Sequence, residues 1–150
     1  MKKVQISILI TVLFLVLAPI NSFASSLENL PRKLSTNQWS VEIDKPDSPN
    51  PHDNKSDNPE LYNVYSMDIK NIGDKNVKLV RVEAYRDDPN SQTDFELFTT
   101  ESDKHLTPSF HHNNFPLFTK ATKLIVTVTW TKESGDKYPR KFQEHFFFNQ

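Results

Sequence analysis

Cysteine is missing from all 150 residues of this chain, and glycine occurs only twice, at Gly73 and Gly135. Without cysteine there is no disulfide, no thiolate metal ligand, no thiol nucleophile and no site for lipoprotein acylation. Two widely spaced glycines cannot form a P-loop, a dinucleotide-binding loop or the nucleophile elbow of a hydrolase. These absences exclude several large enzyme classes and leave packing as the source of stability.

An excess of charge of either sign is also missing. Apart from Lys2 and Lys3, the chain holds 16 basic and 19 acidic side chains, a net charge of −3. A weakly acidic chain is not attracted to nucleic acid or to an anionic membrane surface. The composition therefore predicts neither a nucleic-acid partner nor attachment to lipid headgroups.

The only long apolar run lies at the N-terminus. A Lys-Lys pair precedes residues 4–20, which are almost wholly apolar, and Ser22-Phe23-Ala24 places small residues where a signal peptidase reads them. We expect residues 1–24 to be a signal peptide that is cleaved after Ala24. An uncleaved anchor is the alternative, but the run is near the short limit for a membrane span. The sequence predicts a bacterial protein secreted to the medium or cell envelope without a stable membrane anchor.

Turn-forming clusters divide the rest of the chain. Residues 44–60 hold four prolines, four aspartates and three asparagines without any aliphatic or aromatic side chain, which predicts a loop. Residues 71–76 predict a tight hairpin turn, because Gly73 accepts the positive φ that such a turn needs. Residues 99–116 are polar and irregular, which predicts a long connection. A further turn is expected at residues 134–136.

Apolar residues alternate with polar ones between these clusters. The alternation is clearest in residues 122–132, where every second side chain is apolar and Thr127, Thr129 and Thr131 form a hydroxyl row on the opposite face. In residues 77–86 the phase changes, which predicts a bulge near Leu79. Strands are predicted over residues 38–44, 61–71, 77–86, 95–98, 122–132 and 138–148.

The segment YSMDIKNIGDKNVKLVRVEAY, residues 65–85, resembles the strand, Asn-x-Gly turn and strand of exported immunoglobulin-like and fibronectin-III-like modules. Six or seven short strands without a helical period predict an all-β fold, an antiparallel immunoglobulin-like β-sandwich of about seven strands. A closed barrel is the alternative, disfavoured by the scarcity of glycine. The expected organisation is a signal peptide at 1–24, an N-terminal segment at 25–37, and a β-sandwich domain at 38–150 with the Pro/Asp/Asn-rich loop at 44–60.

No pattern of catalytic residues stands out. No serine lies in a local nucleophile motif, and the carboxylates are spread over turns. The sequence therefore predicts no catalytic residue and no cofactor, and a small secreted hydrolase is the least favoured function.

Metal binding is a second possibility. Asp44, Asp47, Asp53 and Asp57 offer the oxygen ligands that calcium prefers, although their spacing is not that of an EF-hand. A transition metal would use imidazole ligands, and the candidates are His105, His111 and His112. Adjacent histidines on a strand point to opposite faces, so both would bind one ion only from a loop.

Aromatic side chains in the segment 105–118 carry the functional prediction. They lie in a polar, proline-containing segment, where they either fasten the segment to the core or form an exposed recognition surface. On the second interpretation the protein is an exported, non-catalytic binding module that recognises a protein or a cell-envelope glycan. The alternative function is extracytoplasmic metal binding through the histidines. The candidate binding residues are Phe110, His111, His112, Phe115 and Phe118.

Overall fold

The computed structural model describes residues 25–101, 109–133 and 139–150, and these are all-β. No helix in these ranges is long and apolar enough to cross a membrane. The predicted signal peptide and its cleavage site after Ala24 lie outside the described residues. The strands are β1 (Ser25–Ser26), β2 (Arg32–Ser35), β3 (Trp39–Asp44), β4 (Tyr62–Asn71), β5 (Val77–Arg86), β6 (Phe95–Glu101), β7 (Ser109–Phe118), β8 (Lys123–Lys132) and β9 (Lys141–Asn149).

The strands form two sheets, one of five strands in the order β1-β9-β8-β5-β6 and one of four in the order β2-β3-β4-β7. Every neighbouring pair is antiparallel except β1 and β9. The predicted antiparallel β-sandwich is thus confirmed, with nine strands in the described residues. Strand β2, in the N-terminal segment 25–37, pairs with β3 along its whole length.

The core lies between the two sheets and follows from the period-two alternation. Trp39, Val41 and Ile43 of β3 face Val126 and Val128 of β8, and all five are fully buried. Each such side chain stabilises the fold by about 1.5–3 kcal/mol relative to an exposed one. The opposite faces of both strands carry the polar residues, so sequence alternation directly assigns the inner faces of the sheets.

The predicted bulge near Leu79 is confirmed. The pairing of β5 with β8 shifts register between Leu79 and Arg81. The extra residue reverses the inward phase, and as a result Leu79 and Val82 both lie in the core. The bulge also turns Arg81 and Glu83 to the outer face of the five-stranded sheet.

The predicted hairpin at residues 71–76 is wrong, because β4 and β5 belong to different sheets and the segment crosses between them. Gly73 does not have a positive φ. It is needed for close approach, since a Cβ there would lie 2.5 Å from the carbonyl oxygen of Asn37. The crossing is fixed by Gln38, whose side-chain amide donates to the Asp74 carbonyl at 3.0 Å and accepts from the Asp74 amide at 3.2 Å.

The predicted irregular connection over residues 99–116 is also wrong where the structure describes it. Strand β6 continues to Glu101, and β7 pairs with β4 from Ser109 onward. Strand β7 is the edge of its sheet and is polar on its solvent side, which hides its strand character in the sequence. An edge position also tolerates Pro116, whose missing N–H breaks no ladder. Residues 102–108, including His105, lie outside the described residues. Residues 45–61, which include most of the predicted loop 44–60, contain no strand, and Asp44 is the last residue of β3.

Candidate binding site

Strand β7 carries all five predicted binding residues, and it places them in different environments. A register shift opposite Tyr65 and Met67 divides the strand. Before the shift, Phe110 and His112 face inward and His111 faces outward; after it, Phe115 and Leu117 face inward. Consequently only His111 of the predicted set is exposed.

The inward residues form an edge cluster of four rings, Phe98, Phe110, His112 and Phe115. The His112 ring lies 4.4 Å from the Phe98 ring and 5.9 Å from the Phe115 ring, measured between centroids. Phe110 stacks on Phe98 at 6.2 Å. Phe98 belongs to β6, the edge strand of the other sheet, so the edge cluster closes the open side of the sandwich.

His112 behaves as a neutral aromatic side chain in this cluster. Burial lowers its pKa below 6.5, and the adjacent His111 lowers it further. Within the described residues its Nδ1 has no hydrogen-bond partner. Protonation would place an unpaired charge among phenylalanine rings, which is unfavourable.

Phe115 and Phe118 also belong to the packing of the sandwich. Phe115 is 2% exposed and is part of the core, so it has no surface to offer a ligand. Phe118 is half-buried, with its ring 5.9 Å from Tyr62 and 5.0 Å from the guanidinium of Arg86. Phe115 and Phe118 therefore fasten strand β7 to the core, which is the first of the two roles considered for the aromatic residues of the segment 105–118.

His111 connects two acidic residues on the outer face of the four-stranded sheet. Its Nδ1 lies 3.2 Å from Asp68 on β4, and its Nε2 lies 3.3 Å from Asp47 in the loop 44–60. Both ring nitrogens therefore face carboxylates, while His112 points to the opposite side of β7. Among the described residues no group of three or more histidine, aspartate or glutamate side chains could hold a metal ion.

The loop 44–60 is ordered by its own polar side chains. The Ser48 hydroxyl donates to Asp53 at 3.0 Å, and the Asn54 amide donates to the Ser48 carbonyl at 2.9 Å. Asn114 of β7 donates to the Asp53 carbonyl at 3.0 Å and ties the loop to the sheet. The four aspartates considered for calcium are thus divided, with Asp47 directed to His111 and Asp53 directed to serine and asparagine.

A shallow groove of about 420 Å³ lies on the outer face of the five-stranded sheet. We call it the outer groove. Strands β5, β8 and β9 build it, because their outward side chains lie side by side in register. Its lining residues are Tyr85, Asp94, Ile125, Thr127, His145 and Phe147.

The outer groove has an apolar row and a polar row. Tyr85, Ile125 and Phe147 are register partners and form the apolar row across three strands. Phe147 is 39% exposed, a large fraction for a phenylalanine. In the polar row, the Thr127 hydroxyl and His145 Nδ1 are 3.0 Å apart. Aromatic surface thus adjoins hydrogen-bonding groups held in place by their neighbours.

Tyr85 connects the two rows. Its hydroxyl donates to Glu83 at 2.6 Å. That hydrogen bond raises the pKa of Tyr85, and partial burial and the carboxylates of Glu83 and Glu96 raise it further. The phenol therefore stays protonated and remains a fixed donor at any physiological pH.

The charges around the outer groove are largely paired. Asp94 lies 3.2 Å from Lys123, and Glu83 lies 3.0 Å from Arg81. Arg81 also contacts Glu101 at 3.4 Å. Such exposed pairs contribute little to stability, but they leave the groove without a strong field of either sign.

The sequence analysis did not identify this site. It assigned Thr127 to the outer face correctly, although neighbouring strands cover that hydroxyl row and leave Thr127 only 6% exposed. The available signal was Phe147, which is out of phase with the buried Phe146 and Phe148. Three consecutive phenylalanines on one strand require the middle ring to face away from the core.

The sequence is similar to known proteins over almost its whole length. A family model described as "YozF-like secreted protein" matches residues 23–150. The uncharacterized protein YozF of Bacillus subtilis (strain 168) is 31% identical over 170 aligned positions, which cover 100% of this chain and 98% of the relative. No solved structure matches the chain significantly.

Proposed function

We propose, since this chain belongs to the family of YozF-like secreted proteins, that it is an exported, non-catalytic binding protein whose ligand lies in the outer groove. Secretion is the property that the family contributes. Residues 1–24 then act as a signal peptide, cleavage follows Ala24, and the mature chain is released to the medium or the cell envelope.

The exposure of Phe147 is the observation that supports this proposal most directly. Phe147 continues the apolar row of Tyr85 and Ile125 on a solvent-facing sheet surface, and it adjoins a hydrogen-bonded His145–Thr127 pair. Apolar surface with a few oriented polar groups is the usual composition of a ligand site. Binding is favoured over catalysis because the groove is shallow and its polar groups are already paired with each other.

Metal binding through His105, His111 and His112 has less support. His111 and His112 face opposite sides of β7, and both ring nitrogens of His111 lie beside carboxylates. A single ion could not contact both imidazoles without remodelling the edge strand.

The test uses the protein recovered from the medium after expression of the full chain. It is mixed with washed cell envelopes, and the bound fraction is measured by sedimentation for wild type, Phe147→Ala and Leu61→Ala. Leu61 is a matched control because it is 45% exposed but does not line the groove. We expect Phe147→Ala to weaken retention by about tenfold or more, as for a central contact residue, with Leu61→Ala unchanged. Equal retention of all three proteins, or no retention of any, would contradict the proposal.

A further inference from the structure

We infer that the outer groove binds an uncharged glycan segment, with one sugar ring lying against Phe147 and its hydroxyls directed to the polar row. The inference rests on the proposed function and specifies its ligand. It follows from the shape of the groove, the order of its residues, its charge and its limited apolar surface.

The shape fits an extended chain that lies across the sheet. A volume of about 420 Å³ is within the usual range of about 300–1,000 Å³ for small-ligand sites. The groove is shallow, and its apolar row crosses three strands, β5, β8 and β9. An extended chain can therefore lie along that row.

The order of the residues matches the two kinds of surface on a sugar ring. A pyranose has an apolar face of C–H groups and a rim of hydroxyls. The exposed ring of Phe147 offers a flat apolar surface, and His145 and Thr127 lie one register step away along the strands. A sugar on Phe147 thus places its rim beside the exposed His145, whose ring the covered Thr127 hydroxyl holds in place.

Charge argues against an anionic ligand. Asp94 and Glu83 are each paired with a basic side chain, and Glu96 adds a further negative charge beside Tyr85. A phosphate-rich or carboxylate-rich polymer would meet no lysine or arginine among the lining residues, where the one imidazole, His145, is hydrogen-bonded to Thr127. The neutral to slightly negative field is complementary to an uncharged chain.

The small apolar surface argues against a protein ligand. Of the large apolar side chains exposed in the described residues, Leu61, Ile72, Phe95 and Phe147, only Phe147 lines the groove. Stable protein interfaces bury roughly 1,200–2,000 Å² around several apolar anchors. The short apolar row of Tyr85, Ile125 and Phe147, bordered by Thr127 and His145, is instead sufficient for a sugar.

The test measures binding of the secreted protein to two defined probes by isothermal titration. The probes are an uncharged N-acetylglucosamine tetrasaccharide and a poly(glycerol phosphate) of similar length. We expect saturable binding of the tetrasaccharide, unchanged by added salt, because no ion pair forms. Phe147→Ala should weaken it by about tenfold, and Phe147→Trp should restore it. Thr127→Val, which keeps the side-chain shape but removes the hydroxyl, should weaken it by about threefold to tenfold.

Other results separate this inference from the proposed function. Envelope binding that depends on Phe147 but is destroyed by protease treatment of the envelopes would identify a protein ligand and overturn the glycan inference alone. Salt-sensitive binding of poly(glycerol phosphate) without tetrasaccharide binding would overturn it equally. Envelope binding that does not depend on Phe147 would overturn both proposals.

Discussion

The guanidinium of Arg86 lies 4.6 Å above the centre of the Phe95 ring. It also lies 5.0 Å from the centre of the Phe118 ring, so the cation contacts rings from the edge strands of both sheets. Arg86 is 8% exposed and also donates to the Asp87 carbonyl at 3.0 Å. This stack and the edge cluster together join β6 to β7, which belong to different sheets.

Arg86→Lys should therefore destabilise the protein although the charge is kept. Lysine lacks the planar group that stacks on both rings. We expect a loss of about 1–2 kcal/mol in the free energy of unfolding, measured by urea denaturation. Lys33→Arg, at an exposed ion pair with Glu42, is the matched control and should change stability little. Equal stability of Arg86→Lys and wild type would show that the stack contributes nothing.

Val128→Asp and Thr129→Asp test the assignment of faces on β8. Val128 is fully buried. A carboxylate at that position would lower the free energy of unfolding by several kcal/mol, which is comparable to the whole stability of a small domain. Thr129 is covered but lies on the outer face, opposite Arg81 in register, where a new carboxylate can find a basic partner. Thermal melting should show Thr129→Asp folded and Val128→Asp largely unfolded. Similar melting of the two variants would mean that the faces are misassigned.

His112 should make stability depend on pH. Its pKa is lowered in the folded protein, mainly by burial, so the unfolded chain takes up the proton first as the pH falls. The contribution of His112 to the free energy of unfolding is therefore complete above pH 6.5, the pKa of the unfolded histidine. It decreases as the pH falls through and below that value. Urea unfolding at about pH 7.5 and pH 5.5 should show this loss.

His112→Phe should remove most of that pH dependence, because phenylalanine fits the edge cluster and does not titrate. His52→Gln, in the loop 44–60, should keep the wild-type dependence. An unchanged slope in His112→Phe would assign the effect to other groups.

His111→Ala should release the loop 44–60 from the sheet. The imidazole contacts both Asp47 and Asp68, and its loss removes this contact while the hydrogen bond from Asn114 to the Asp53 carbonyl stays. We expect faster amide exchange in residues 45–53 with less than about 1 kcal/mol change in global stability. Lys33→Ala, on the same sheet, should leave exchange in the loop unchanged. Unchanged loop exchange in His111→Ala would show that the bridge does not restrain it.

Export predicts a new N-terminus at Ser25. Intact-mass measurement of protein from the medium or the envelope fraction should give the chain from Ser25 to Gln150. Replacing Ala24 with a large residue should block cleavage and keep the protein with the membrane. Detection of an N-terminus at Met1 in wild-type protein from the envelope would contradict the prediction.

Period-two alternation predicts most of this fold because both sheets bury one face, as Val41 of one sheet and Val126 of the other show. It fails for β7, where the bulge moves the inward phase from His112 to Phe115 and breaks the pattern. Local turn chemistry placed a turn at Gly73, but it contains no information on which sheet the next strand joins. The outer groove depends on the register of three strands, and that register is decided by tertiary packing.

The parallel pairing of β1 with β9 has a consequence for the order of folding. Ser25 is the register partner of Phe148, and the Leu27 amide donates to the Asn149 carbonyl at 2.7 Å. A secreted chain crosses the membrane from its N-terminus, so its first strand must wait for the last one to arrive. Contacts of such long sequence separation form slowly. Strands β1 and β9 therefore join only after translocation has finished, and this junction completes the domain after export.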